Sequence, residues 1–261
     1  MSDIITERSG SILHVQLNRP AKKNAMTSAM YLTLADILND AAKDEQTRVV
    51  LWYGAGDSFT AGNDLKDFQT NPPGQGESPQ ARLMKALVNF DKPLIAAVKG
   101  AAVGGGTTML THCDFVYAGE STKFQLPFIN LALVPEFGSS YSLPRRIGHL
   151  RAAELFFLGV PFDARRAEEL GLVTRVVPDD KLLETATETA LKLSQKPIGA
   201  LRASKRLLRA SSREQVEQAI KRENDEFGLR VRSAEATEAF SAFIEKRPPD
   251  FTKIKESATA G

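Results

Sequence analysis

The chain has little that could cross-link it, hold it on a polyanion or anchor it in a bilayer. One cysteine, Cys113, stands among 261 residues, which excludes an internal disulfide and favours a reducing compartment. Histidine is scarce: His14 and His149 have no companion at metal-ligand spacing, so no metal site is expected. Neither sign of charge is in excess. A formal net charge of +2 requires neither nucleic acid nor an acidic membrane as partner. No apolar run is long enough to span a bilayer, and residues 1–8 lack a basic stretch followed by an apolar one. Internal repeats and low-complexity tracts are also missing. These absences lead to the expectation of a soluble, cytoplasmic protein.

What is present is a chain that is 42% hydrophobic and long enough to bury a substantial core. Residues 11–17 alternate as a strand, and Thr27 has the character of an N-cap for a helix reaching about Ala42. Residues 49–53 form an apolar strand closed by Gly54-Ala55-Gly56. Residues 69–80 are rich in Pro, Gly and polar side chains and read as a surface loop. Residues 81–90 read as a helix, and residues 115–118 and 122–124 as short strands. From about Asp179 the pattern is almost wholly helical. Alternating strands and helices predict an α/β fold, and the helical tail predicts a packing or assembly element.

The most informative stretch is Gly104-Gly105-Gly106, read as a turn from the apolar run 93–100 into a helix. Such a cluster exposes bare backbone, and the first N–H groups of a helix have no partner within it. They would lie at the positive end of its dipole. A second loop of small residues, Phe59-Thr60-Ala61-Gly62-Asn63-Asp64-Leu65, follows the strand at 49–53. Two such loops facing one point could form an oxyanion hole, in which each donor is typically worth about 2.7–4 kcal/mol at the transition state.

These residues carry a resemblance. Residues 59–65, the run 92–106, Cys113-Asp114, Asn18-Arg19-Pro20 with Asn24-Ala25, and residues 167–173 and 239–247 together resemble the crotonase (enoyl-CoA hydratase/isomerase) superfamily. The resemblance covers nearly the whole chain. It implies a crotonase-like spiral of ββα units through residue 195, forming an acyl-CoA-binding core (1–195). It also implies a helical C-terminal oligomerisation region (196–261), in a homotrimer or dimer of trimers. It implies that the thioester carbonyl of an acyl-CoA sits between the N–H of Asn63 and that of Gly105. Substrate and CoA contacts are expected from Arg19, Lys22, Asn24, Ala25, Ala61, Asp64, Leu65, Phe128, Phe243 and Lys246. No cofactor is expected beyond the CoA of the substrate.

A shared hole does not identify the reaction. Hydratases of this superfamily use two glutamates; the corresponding positions here hold Thr108 and Phe128, neither of which can carry a proton near neutral pH. One carboxylate offers an alternative. Glu136 follows Pro135, a residue suited to the first turn of a helix, among the apolar Phe128, Leu131, Leu133, Val134 and Phe137. Such surroundings raise a carboxyl's pKa and make it a better-matched proton carrier. Residues 62–65, Pro127-Phe128 and Pro135-Glu136 with Ser139-Ser140-Tyr141 resemble Δ3,Δ2-enoyl-CoA isomerases of the peroxisomal type and their bacterial relatives. That resemblance implies isomerisation of 3-enoyl-CoA to 2-trans-enoyl-CoA with Glu136 as sole acid/base. The competing readings are hydration through an unconventional base, hydrolase- or dehalogenase-like chemistry, and an RNA-binding module. The last would use the basic tracts at 202–209 and 221–232, whose helical spacing fits solvated helix faces better. His112 and Cys113 read as packed residues, and Asp64 as an organiser of its loop.

Overall fold

A computed structural model describes residues 2–64, 66–67 and 77–254. The expected alternation of strand and helix becomes two sheets wound together. Strand β1 (Ile4–Ser9) pairs antiparallel with β2 (Ile12–Leu17), from Ile4 opposite Leu17 to Ser9 opposite Ile12. From β2 the main sheet proceeds in parallel through β3 (Val49–Gly54), β4 (Leu94–Val98), β6 (Phe115–Gly119) and β9 (Arg175–Val177). The intervening short strands β5 (Ala101–Val103), β7 (Lys123–Gln125) and β8 (Phe162–Asp163) form the second sheet. The chain thus steps from main sheet to second sheet through the short turns at 99–100 and 120–122 and returns by way of helices. This is the spiral expected from the sequence.

Both faces of the main sheet are covered, as a parallel sheet requires. Val50 and Trp52 of β3 face a core shared with α1 (Ser28–Lys43) and α2 (Pro79–Asn89). Val49 and Leu51 face the other way, onto Leu182, Ala186 and Ala190, which recur at helical spacing. Thr27 caps α1, its hydroxyl accepting from Met30 N at 3.3 Å. Among the described residues no helix is long and apolar enough to cross a membrane.

Two of the C-terminal helices pack on the core. Ala236 and Phe240, on the helix Ala234–Glu245, join the main cluster, and the helix Arg213–Arg230 lies against the helix Ser139–Ile147. This last contact places Glu223, a buried carboxylate, beside the turn that carries Glu136.

Candidate active site

The two loops singled out by their small residues meet in space. The loop at 59–64 runs along the second sheet: Phe59 N donates to Lys99 O at 2.7 Å, Thr60 N to Ala101 O at 2.9 Å, and Val103 N to Thr60 O at 3.1 Å. Gly106 permits this approach, because a Cβ there would lie 2.5 Å from Thr60 Cγ2. The strand entering the glycine triplet is therefore the short β5; the longer apolar strand β4 has already ended at Val98.

The helix after the triplet differs from expectation. It is a single turn, Gly105–Thr108, continued by a 3-10 segment, Met109–His112. So short a helix has little macrodipole to offer. What it does offer is an unpaired donor: Thr107 N and Thr108 N bond back to Gly104 O, while Gly105 N has no acceptor among the described residues. Asn63 N is in the same state, although its neighbours Gly62 O and Asp64 N are both bonded to Met26.

Tyr31, on α1, was not singled out by the sequence. It is fully buried, and its hydroxyl donates to Asn63 Oδ1 at 2.7 Å. Burial, reinforced by the neighbouring Glu136, pushes its pKa well above the usual tyrosine value, so it remains a donor.

Glu136 lies beside both loops. A Cβ built on Gly105 would meet Glu136 Oε1 at 2.7 Å, Phe137 Cε2 at 3.3 Å and the Tyr31 hydroxyl at 3.4 Å. Glu136 is 4% exposed, and its Oε1 has no hydrogen-bond partner among the described residues. Burial first, and the negative charge of Glu223 second, push its carboxyl up to about 8. The local backbone departs from the expectation of a helix starting at Pro135. The helix begins at Ser139, with Gly138 as N-cap, and Glu136 precedes it on an irregular segment. The chain turns through Phe137 (φ +62°) and Gly138 (φ +69°), both left-handed. The carboxylate that satisfies this helix's N-terminus is Glu223, which accepts from Gly138 N and Ser140 N.

Two clefts converge here. One, of about 970 Å³, is lined by Arg19, Lys22, Ala25, Ala61, Asp64, Gly105, Phe128, Leu131, Leu133, Phe240 and Phe243, among others. The other, of about 720 Å³, opens between α2 and the helix Arg213–Arg230. Asn63, Glu136 and Phe227 line both.

Most of the expected contact residues are thus gathered around one cleft, with three exceptions. Asn24 is fully buried and lines neither cleft. Its Oδ1 accepts from Arg19 N, and its Nδ2 donates to Ala55 O and Ser58 O, so it organises the turn behind the site. Lys246 is the left-handed C-cap of the last long helix and does not line the cleft; Arg247 does. Leu65 lies outside the described residues, as does most of the loop at 69–80.

Asp64 organises its loop. Its carboxylate accepts from Arg19 at 3.0 Å and from the N–H groups of Lys66 and Asp67. Burial works to raise its pKa, but these donors together hold it below the usual value.

Thr108 is buried and bonds back to Gly104 O. His112 is a packed residue, its Nε2 donating to Phe137 O at 2.8 Å. Burial lowers its pKa to about 4, so the ring is neutral. Cys113 is buried, and burial pushes its thiol up to about 12. Tyr141 lies under Arg145 rather than in either cleft. In the basic tract at 202–209, Arg202 and Arg206 pair with Asp91, and Lys205 and Arg209 pair with Asp114.

Residues 7–254 match the Enoyl-CoA hydratase/isomerase family. The chain is 35% identical to the 2,3-dehydroadipyl-CoA hydratase of Escherichia coli K12, across 96% of this chain and 99% of that one. It is 36% identical to the enoyl-CoA delta isomerase 2 of Rattus norvegicus, across 94% of this chain but 64% of the longer rat protein. Among solved structures, an enoyl-CoA hydratase/isomerase from Pseudoalteromonas atlantica T6c superposes with a TM-score of 0.91. The two are 40% identical, covering 96% of this chain and all of that one.

Proposed function

The chain belongs to the enoyl-CoA hydratase/isomerase family, and within it we propose that the protein isomerises 3-enoyl-CoA to 2-trans-enoyl-CoA, with Glu136 as sole acid/base. One observation carries this reading. Among the described residues one buried carboxylate, Glu136, has a partnerless oxygen, and it stands beside two loops that each present a backbone N–H with no acceptor among those residues. The positions where hydratases of the resembled family keep their two glutamates hold Thr108 and Phe128. The other nearby carboxylate, Glu223, has both oxygens engaged by backbone donors.

In the proposed reaction the thioester oxygen accepts from Asn63 N and Gly105 N. Ionised Glu136 takes a proton from C2, and the electron pair of the C–H bond moves into a dienolate whose charge rests on that oxygen. The glutamic acid so formed returns the proton to C4. The double bond then lies between C2 and C3, and the carboxylate is regenerated. A carboxyl pushed up to about 8 suits both halves of this cycle, since an ideal proton carrier has a pKa near the working pH. The only group required beyond the chain is the CoA of the substrate. Lys22, Phe128 and Phe243, which line the larger cleft, fit a nucleotide bearing phosphates, while Arg19, also in the lining, is held by Asp3, Asp64 and Ala25 O. The smaller cleft shares Asn63, Glu136 and Phe227 with the first; its lining is largely polar, and the acyl chain is proposed to lie along its apolar part, Met84, Val88, Ile220 and Phe227.

The proposal includes assembly as a trimer or dimer of trimers. Leu150 and Phe157 on one helix, and Leu207 and Leu208 on another, are each more than two-thirds exposed, apolar side chains that further copies would cover. Incubation with 3-trans-enoyl-CoA and 2-trans-enoyl-CoA in parallel tests the activity. Conjugation of the first without hydration of the second is expected. Hydration of the second at a comparable rate, or release of free CoA from either, would overturn the reading in favour of a hydratase or a hydrolase.

A further inference from the structure

Glu136 sits on a turn whose backbone is under constraint. A bulky residue at positive φ is uncommon, and here Phe137 and Gly138 are both left-handed in succession. A local N-cap such as Ser, Thr or Asp would satisfy the helix that follows at small cost. The residue in that position is Gly138, which has no side chain, and the donors are met from 85 residues away. Glu223 Oε2 accepts from Gly138 N at 2.6 Å and Oε1 from Ser140 N at 2.8 Å. Glu223 is 5% exposed.

The fit around it is close. A Cβ on Gly138 would lie 3.0 Å from Val216 Cγ1 and 3.3 Å from Ile220 Cγ1, side chains on the same helix as Glu223. His112 Nε2 donates to Phe137 O at 2.8 Å. Ser139 N closes the turn on Glu136 O at 3.2 Å. The turn is therefore gripped at Phe137 O, Gly138 N and Ser140 N by two side chains from distant elements.

We propose that Glu223 is a positioning residue: its bidentate grip on Gly138 N and Ser140 N holds the turn that sets the Glu136 carboxylate beside Gly105 and Asn63, within reach of the C2 and C4 protons of a thioester held by their N–H groups. The inference rests on Glu136 being the acid/base. A neutral acceptor could hold one of the two donors, so a carboxylate here does more than cap a helix. Burial raises the pKa of Glu223 as well, while the Gly138 and Ser140 donors favour its charged form, and that charge disfavours ionisation of Glu136. The other titratable groups around the pair are Tyr31 on α1 and His112 behind Phe137. Arg222 lies on the helix of Glu223 itself, and Glu77, Lys85, Glu217, Lys221, Asp225 and Arg232 line the adjoining cleft.

The test compares Glu223→Gln and Glu223→Ala with the wild type. Glu223→Gln keeps one acceptor and removes the charge; its kcat for 3-enoyl-CoA is expected to fall about tenfold, with KM changed less than about twofold. The acid limb of its pH profile should move to lower pH, because removal of a neighbouring negative charge favours ionised Glu136. Glu223→Ala should lose roughly a further tenfold, so that the conservative variant rescues in part. A helix cap with no bearing on the base would lower the melting temperature but leave the limb in place. Unchanged kcat and an unchanged limb in both variants, with Glu136→Gln inactive, would overturn the positioning role while leaving the isomerase reading standing. If the wild type shows no isomerase activity, a crystal structure of Glu223→Gln still decides. Displacement of Phe137 from its left-handed conformation and of the Glu136 carboxylate is expected, and retention of both would overturn the role.

Discussion

The Tyr31 hydroxyl donates to Asn63 Oδ1 at 2.7 Å, which ties the longest core helix of the first half of the chain to the loop that presents the Asn63 N–H. The same hydroxyl lies 3.4 Å from where a Cβ of residue 105 would be. One fully buried side chain thus sets the spacing of the two proposed donors and one wall of the Glu136 site. Tyr31→Phe keeps the ring and removes only the tether. We expect kcat to fall roughly 5- to 30-fold, the equivalent of about 1–2 kcal/mol, with a smaller effect on KM. Equal kcat in steady-state assays of variant and wild type would separate Tyr31 from the site.

Gly105→Ala probes the same geometry from the other loop. Residue 105 has helical backbone, so alanine adds no backbone strain, but its Cβ would meet Glu136 Oε1 at 2.7 Å. The carboxylate is the free end of a side chain and can move aside. The variant should therefore keep its stability within about 1 kcal/mol yet lose at least about tenfold in kcat. Denaturant melts and initial rates on one preparation check both halves.

The burial of Glu136 has a signature in stability. Its carboxyl sits at about 8 in the folded chain and near the ordinary glutamate value when unfolded. The native state therefore binds more protons between those values, and this group's contribution is full below about pH 4.5 and is lost as pH rises through about 8. Glu136→Gln removes the cost of a buried charge. Its gain in unfolding free energy over the wild type should grow from acid to alkaline pH, reaching on the order of a few kcal/mol. Urea melts at pH 5 and pH 9 measure it, and a difference independent of pH would contradict the assigned burial. The same group sets the acid limb of kcat/KM, because only ionised Glu136 can accept the C2 proton; activity should rise with pH up to about 8.

How much of this was legible in the sequence depends on distance along the chain. The two loops could be read because each is a short string of small residues following a strand, where composition exposes backbone; that Asn63 and Gly105 are the donors within them is what the family resemblance implies. Glu136 could be read from its apolar neighbours. The turn that carries it could not. Pro135 signals a helix start, but the helix waits for Gly138, because Phe137 takes a left-handed conformation that nothing in its own side chain favours. That conformation is held by His112 and Glu223, from segments 25 and 85 residues away. Tyr31 likewise reads as an ordinary helix residue until the loop at 63 is folded against it. Glu223 left one trace. It is the single acidic residue on the stripe Val216, Ala219, Ile220, Glu223 and Phe227, where helical spacing otherwise places apolar side chains against the core.

Cys113 provides a control on the packing. Burial pushes its thiol up to about 12, so in the native chain it should resist alkylating reagents and react only on unfolding. Mass spectrometry after iodoacetamide treatment, with and without denaturant, reads this directly, and rapid native labelling would contradict the packing of residues 109–113.

The central claim is that one glutamate performs both proton transfers. It is tested most directly by the rate at which Glu136→Gln converts 3-trans-enoyl-CoA to the conjugated 2-trans product, followed by absorbance. The variant is expected to fold, to bind CoA thioesters with near-native affinity, and to lose about 10²- to 10⁴-fold in kcat. Turnover within about threefold of the wild type, well short of what a general acid/base contributes, would contradict it.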